Sequence, residues 1–192
     1  VGVEAHRHVE LEPGRHRAAS ARRDGEGDHA GRGVDRPAGE LLDARHPLLM
    51  LNRVAESGKD GSKAAAAAHS KVRPLDIVLR PGERALVITG GNAGGKTVCL
   101  KTLGLIAAMT LSGLPVPVGA GSHLPWFSRL DAFIGDEQSL ADNVSTFTAQ
   151  IEHLAKAWKH LDASSLVLLD EFGAGTDPAQ GAALAQAVLD EL

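Results

Sequence analysis

The stretch ALVITGGNAGGKTVCLKTLGL, Ala85 to Leu105, decides the fold. Ala85–Thr89 is a short apolar run with β-branched residues, the composition of a buried parallel strand. Gly90–Thr97 fits the pattern G-x-x-x-x-G-K-[ST], and Val98, Leu100, Leu103, Ile106 and Met109 then recur in a helical pattern. A glycine loop between a strand and a helix lets successive backbone N–H groups turn inward around phosphate oxygens, with no Cβ in the way. The helix N-terminus adds partial positive charge at the same point. On this reading Gly90, Gly91, Asn92, Ala93, Gly94, Gly95 and Val98 surround the phosphates of a nucleotide. Lys96 reaches the β- and γ-phosphates, and the Thr97 hydroxyl ligates Mg²⁺. The competing reading is a chance glycine-rich turn, and the flanking strand and helix argue against it.

Downstream, Ser164–Leu169 is the most apolar short run, and Asp170 and Glu171 follow it at once. A strand ending in two acids suits the second acidic motif of a phosphate-loop enzyme, because it sets carboxylates at the C-terminal edge of the sheet. Asp170 then belongs to the Mg²⁺ shell, and Glu171 orients or deprotonates the attacking water. Taken alone, such a pair is a solvated strand end; the upstream glycine loop and the Gly-Ala-Gly-Thr-Asp that follows change its meaning. Gln138 lies after another expected strand, where its amide can touch Mg²⁺ or the attacking water. An exposed loop glutamine is the alternative.

The chain of 192 residues is sized for one domain plus an appendage. Hydrophobic residues make up 43% and aromatics only 3%, so the core is expected to be aliphatic. A net charge of −4 and a pI near 6.1 give no global nucleic-acid signature. The single cysteine, Cys99, excludes an internal disulfide framework and fits a reducing, cytoplasmic setting. Its place in the helix after the glycine loop suits a buried, inert thiol better than a nucleophile. Thr102–Ser128 lacks Lys, Arg, Asp and Glu, but Gly113, Pro115, Pro117 and Pro125 break it well short of a membrane-spanning helix.

Residues 1–40 differ in kind. They hold seven Arg, eight Asp or Glu, four His and seven Gly, with no Lys and almost no large apolar residue. Without a period of 2 or 3.6 there is little apolar area to offset chain entropy, so a disordered, charge-balanced tail is expected. An out-of-frame reading of GC-rich DNA fits the same composition.

From Leu41 the text becomes that of a folded domain, expected over residues 41–192. Leu41–Asn52 reads as a strand and a turn around Asp43, Arg45 and His46. Residues 56–71, with five consecutive alanines, read as a surface loop or short helix. Val72–Gly90 gives two strands joined at Pro81-Gly82. Leu114–Val118 and Arg129–Ile134 read as further short strands. Phe147, Ile151, Leu154, Trp158 and Leu161 form one helical stripe over Ser145–Leu161, with Asn143 or Ser145 available as its cap. Pro178–Leu192 is a last helix.

Five motifs carry a family resemblance: RHPLL at Arg45, VITGGNAGGKTVCLKTLGL at Val87, GDEQS at Gly135, NVSTF at Asn143 and LVLLDEFGAGTDP at Leu166. In this order and spacing they resemble the ATPase domain of the MutS family. The Asp170–Pro178 wording is most similar to the bacterial branch whose members carry a C-terminal Smr nuclease domain. That resemblance spans Leu41–Leu192. It implies an α/β phosphate-loop NTPase of ABC-like type, with a mostly parallel central sheet flanked by helices. It further implies Mg²⁺-dependent ATP hydrolysis in a DNA repair or recombination-control protein that engages mismatched or branched DNA.

The family pairs head to tail, which implies a homodimer in which Ser145 contacts the γ-phosphate held by the partner protomer. Thr176 and Asp177 match the segment that crosses that interface, and Asn92 matches the family's phosphate-loop asparagine. Gly91 departs from the usual Pro, which makes the loop floppier. A strand with a Thr-Thr-His-type switch is expected beyond Leu192, and the family's long DNA-reaching helices have no counterpart in residues 1–40. The stretch therefore reads as an ATPase module without its DNA clamp. Two alternatives stand beside this reading. One is an ABC-class ATPase of another system, whose Leu-Ser-Gly-Gly-Gln signature contrasts with Val144-Ser145-Thr146-Phe147 here. The other is a non-hydrolysing nucleotide-binding or dimerisation module.

Overall fold

The computed structural model describes residues 6–10, 39–57, 63, 69, 71–91, 94–134, 143–173 and 177–192. In chain order the elements are β1 (His6–Glu10), β2 (Gly39–Ala44), α1 (Pro47–Ser57), β3 (Leu75–Leu79), β4 (Ala85–Thr89), α2 (Lys96–Leu111), β5 (Arg129–Phe133), α3 (Asn143–Trp158), β6 (Ser165–Leu169) and α4 (Pro178–Glu191). The protein is a mixed α/β molecule. Its strands pair two by two: β1 with β4 and β5 with β6 in parallel, β2 with β3 antiparallel. The expected mostly parallel pairing is therefore present, but among the described residues no ladder joins the three pairs into one sheet.

Side-chain packing makes the connection that backbone hydrogen bonds do not. α2 is the hub. Ile106 and Thr102 are fully buried, and Cys99 and Ala107 lie beside them. Around Ile106 and Cys99 gather Leu41, Ala44 and Ile77 from β2 and β3, with Leu86 and Ile88 from β4 against them. The same helix packs on β5 and β6, where a Cβ built at Gly104 would stand 2.7 Å from Leu168 Cδ1, close enough that the leucine end would have to move. A second cluster, Phe133, Leu154, Ala157 and Val188, closes β5 and β6 under α3 and α4. Burial pushes the Cys99 thiol up to about 11, so it stays protonated at neutral pH.

Three local expectations change. Pro47 begins a helix rather than a turn. Its missing N–H is harmless at the first helical position, and His46 Nδ1 accepts from Leu49 N at 3.4 Å as a ring-nitrogen cap. Leu114–Val118 is not a strand: Pro115 and Pro117 cannot donate to a ladder, and Leu114 is exposed. The segment is tied to β2 and the residue after it instead: Arg45 N donates to Pro117 O at 2.9 Å, and Gly119 N donates to Leu42 O at 2.6 Å. Third, within the segment expected to lack structure, His6–Glu10 runs parallel to Ala85–Thr89 in register. A strand edge recruits partners through backbone groups, which need no apolar period in the recruited segment. Residues 1–5, 11–38 and most of 58–70 lie outside the described residues.

Replacing the wholly buried Ile106 by alanine leaves a cavity where α2 meets β2, β3 and β4. Ile106→Ala should cost about 2–5 kcal/mol, read as a lower urea midpoint at unchanged m-value.

Candidate functional site

The candidate site begins where β4 ends. Gly90 (φ 140°) and Gly95 (φ 81°) bracket the loop, and the left-handed Gly95 caps α2 without any side-chain hydrogen bond. A non-glycine residue at Gly95 would carry strain. The first turn of α2 holds no acidic residue, so its N-terminal N–H groups keep their positive potential uncompensated by the helix's own side chains. A Cβ at Gly91 or Gly95 would meet nothing within 4 Å, so the loop has open space beside it. Lys96 lies over its own loop, donating to Gly90 O at 2.8 Å and Gly91 O at 3.1 Å. Gly94 N donates to Gly91 O at 2.8 Å, and Cys99 N to Gly95 O at 2.9 Å. Thr97 is half-buried in the first turn, and Val98 is 41% exposed.

The second acidic motif sits at the end of β6. Asp170 is buried at 8% exposure and its N–H donates to Phe133 O at 3.0 Å, extending the β5–β6 contact by one residue. Glu171 is exposed and left-handed, with φ 47°. That conformation costs a glutamate about 1–2 kcal/mol, and such strain persists only where the surroundings enforce it. No hydrogen bond or ion pair among the described residues joins Asp170 or Glu171 to the glycine loop. α2 links the two regions by packing, through Gly104 against Leu168.

The remaining candidates divide between described and undescribed residues. Asn92, Ala93, Gln138 and Thr176 lie outside the described residues. Ser145 stands in the first turn of α3 as expected for a helix N-terminus, and its side chain also lies outside them. Asp177 turns onto its own helix: its Oδ1 accepts from Ala179 N at 3.0 Å and Gln180 N at 3.3 Å, capping α4. Among the described residues no group of three His, Cys, Asp or Glu could hold a metal ion. Thr97, half-buried in the first turn of α2, and Asp170, buried at the end of β6, carry oxygens of the type a hard cation takes.

Sequence spacing gave no sign of a cavity of about 260 Å³ beside the first two turns of α2. Leu49, Val72, Leu75 and Val98 give it apolar walls, while Arg53, Lys71 and Arg73 make it cationic; His46 and the buried Thr102 complete it. These residues come from α1, the approach to β3, and α2, so only tertiary packing brings them together. The Arg-His-Pro motif was the available pointer. Arg45, buried, bonds Asp43 Oδ2 at 2.6 Å and His69 O at 2.9 Å, and Asp43 N donates to Asp76 Oδ1 at 2.8 Å. This network holds the left-handed Asp43 (φ 47°) and fixes the start of α1.

Together these features describe an α/β protein with an open, cationic glycine loop at a helix N-terminus and a strained acidic turn at a strand end. The family model for MutS domain V matches residues 86–192. The chain is 62% identical over 152 residues to the endonuclease MutS2 of Solidesulfovibrio magneticus, covering 79% of this chain and 18% of that protein. It is 54% identical over 153 residues to the endonuclease MutS2 of Maridesulfovibrio salexigens, covering 80% and 18% respectively. A third, from Thermotoga petrophila, is 41% identical over 152 residues, covering 79% of the chain and 18% of that protein. The chain belongs to the MutS family, in its MutS2 branch. It spans about one-fifth of the length of these relatives (18%). No helix among the described residues is long and apolar enough to cross a membrane.

His46 supplies a pH test of the cavity wall. Burial lowers its pKa below the ordinary 6.5, and Lys101 adds to the effect. A depressed histidine contributes stability that is present above 6.5 and lost as pH falls from there through the folded-state value. His46→Gln should therefore flatten the loss of stability below pH 6.5, measured by urea unfolding at stepped pH. Parallel pH curves for the two proteins would contradict this.

Proposed function

We propose that the chain is a Mg²⁺-dependent ATP-binding and ATP-hydrolysing module serving a DNA-processing protein of the MutS2 branch. One observation carries this reading: the uncapped α2 N-terminus, with Gly95 left-handed and the Lys96 ammonium already held over the loop. Phosphate oxygens are acceptors suited to the first-turn N–H groups of α2 and, through charge, to the Lys96 ammonium. Gly90–Val98 cradle the phosphates, and Lys96 exchanges its carbonyl partners for the β- and γ-phosphates. The base and sugar enter the 260 Å³ cavity beside Val98, where apolar walls meet cationic side chains.

Thr97 and Asp170 hold Mg²⁺, which when bound neutralises charge on the β- and γ-phosphates. Glu171 orients the attacking water and takes its proton, and Gln138 assists at the metal or the water. Glu171 stands on the open side of the site, since it is exposed. An exposed base is poorly suited to phosphoryl transfer until water is excluded. The missing wall is a second copy of this chain in a head-to-tail homodimer, with Ser145 at the α3 N-terminus meeting the γ-phosphate. DNA, branched or mismatched, is engaged by other parts of a longer protein, and ATP turnover here is coupled to it. A cytoplasmic setting fits the single, buried thiol.

Lys96→Ala should weaken Mg·ATP binding by about 1.5–3 kcal/mol, roughly 10- to 150-fold by calorimetry, because it removes a charge-assisted contact. Unchanged affinity would refute the phosphate-loop assignment.

Catalysis tests the composite site separately. Glu171→Gln keeps its shape and should still bind ATP while hydrolysing it far more slowly. Specific activity of the unaltered chain should fall on dilution across a hundredfold range, as dimers dissociate. Dilution-independent turnover by monomers would remove the role given to Ser145.

A further inference from the structure

Glu171 stands between two anchors. On its N-terminal side, Asp170 is buried and bonded to Phe133 O at 3.0 Å. On its C-terminal side, Phe172 packs against the cluster of Phe133, Leu154 and Val188, and the left-handed Gly173 (φ 88°) is buried. What Gly173 rests on is the backbone of another glycine. A Cβ built at Gly173 would lie 2.9 Å from both Gly181 Cα and Gly181 O. A Cβ built at Gly181 would lie 2.5 Å from Gly173 O and 3.3 Å from Gly173 C. Neither obstacle is a side-chain end that could swing aside; both are main chain.

Gly181 belongs to the first turn of α4, where its N–H donates to Asp177 O at 2.8 Å. That turn is itself fixed by the Asp177 cap on Ala179 N and Gln180 N. The base of the acidic turn is thus a bare patch of helix, and the turn seats on it backbone to backbone.

We infer that Gly181 is a positioning residue for ATP hydrolysis: its missing side chain lets Gly173 seat against α4 and so holds Glu171 in its left-handed, outward-facing conformation. This rests on the reading of Glu171 as the group that activates water. Gly181 touches neither ATP nor the water. It acts through Gly173 and the two-residue span back to Glu171. A base displaced by several tenths of an ångström loses its line to the water, while the phosphate cradle, built on β4 and α2, is untouched.

The test is Gly181→Ala in the full 192-residue chain. Three quantities are measured: calorimetric Mg·ATP affinity, single-turnover hydrolysis with protein in excess, and amide hydrogen exchange at Phe172 and Gly173. Affinity should stay within about twofold while the hydrolysis rate falls about 10- to 100-fold, and exchange at both amides should quicken. Gly104→Ala is the control, since its added methyl meets only the movable end of Leu168; rate and exchange should hold. Normal rate with normal affinity in Gly181→Ala overturns the inference. So does an equal loss of affinity and rate, which marks a merely structural role, or unchanged exchange at the turn.

Should Gly181→Ala not fold, Asp177→Ala frees the same helical turn without adding atoms. It should quicken exchange at Phe172 and Gly173 and slow hydrolysis at retained affinity; no change in either again overturns the inference. If Glu171→Gln hydrolyses ATP normally, the base assignment fails by itself, and the exchange data still decide whether Gly181 sets the turn.

Discussion

The packing of α2 on β5 and β6 joins the β5–β6 pair to the rest of the described molecule. No backbone ladder among the described residues connects β4 to β6. The helix that follows β4 must therefore bind the β5–β6 half by side-chain packing, with Gly104 set against the side-chain end of Leu168. Ile106 and Thr102, both without exposure, show how fully the helix is enclosed. Thr102 keeps its hydroxyl satisfied by donating to Val98 O at 2.6 Å, so burying it leaves no orphaned polar group. A buried isoleucine contributes about 1.5–3 kcal/mol relative to exposure. The N-terminus of α2 thus belongs to a helix whose middle is buried, and in the proposed function that anchorage lets the helix end meet an anion with little reorganisation.

Two non-glycine residues, Asp43 and Glu171, share a φ of 47°, and the structure accounts for each differently. Asp43 is held by polar groups: its carboxylate faces Arg45, and its N–H meets Asp76. Those bonds compensate the strain locally and seat the loop before α1. Glu171 has no such partner among the described residues. Its strain is imposed from both flanks, by Asp170 on Phe133 and by Gly173 on Gly181, and its own carboxylate is left exposed. The strain at Glu171, enforced from its flanks, is the physical ground on which the proposed function reads it as functional.

Much of this was legible in the residues. β4, β5, β6, α2 and α4 fall where apolar runs and helical spacing place them, although α2 buries Cys99, Thr102, Ile106 and Ala107 and leaves Val98 of the expected stripe exposed. The strand–loop–helix context that singled out Gly90–Thr97 is present as expected. What was not legible depends on partners distant in sequence. α1 is started by a histidine ring nitrogen rather than by Ser, Thr, Asp or Asn. Leu114–Val118 is apolar yet has two prolines, and loop carbonyls and β2 decide its fate. His6–Glu10 is recruited by the edge of β4 through backbone groups that composition does not record. The cavity assembles from three separate segments, and the Gly173–Gly181 contact from glycines that look like turn and helix residues when read alone.

In the proposed function, the resting position of Lys96 also bears on selectivity. Its ammonium is satisfied by two neutral carbonyls, Gly90 O and Gly91 O, so a ligand must supply something better to draw it away. A phosphate oxygen does, because a charge-assisted hydrogen bond is roughly twice as strong as a neutral one. A nucleoside without phosphates brings only neutral acceptors. It fills the apolar cavity but gives Lys96 no reason to leave the loop, and the open helix N-terminus stays uncompensated. The exchange of partners at Lys96 thus separates charged from uncharged ligands before any catalytic group is engaged.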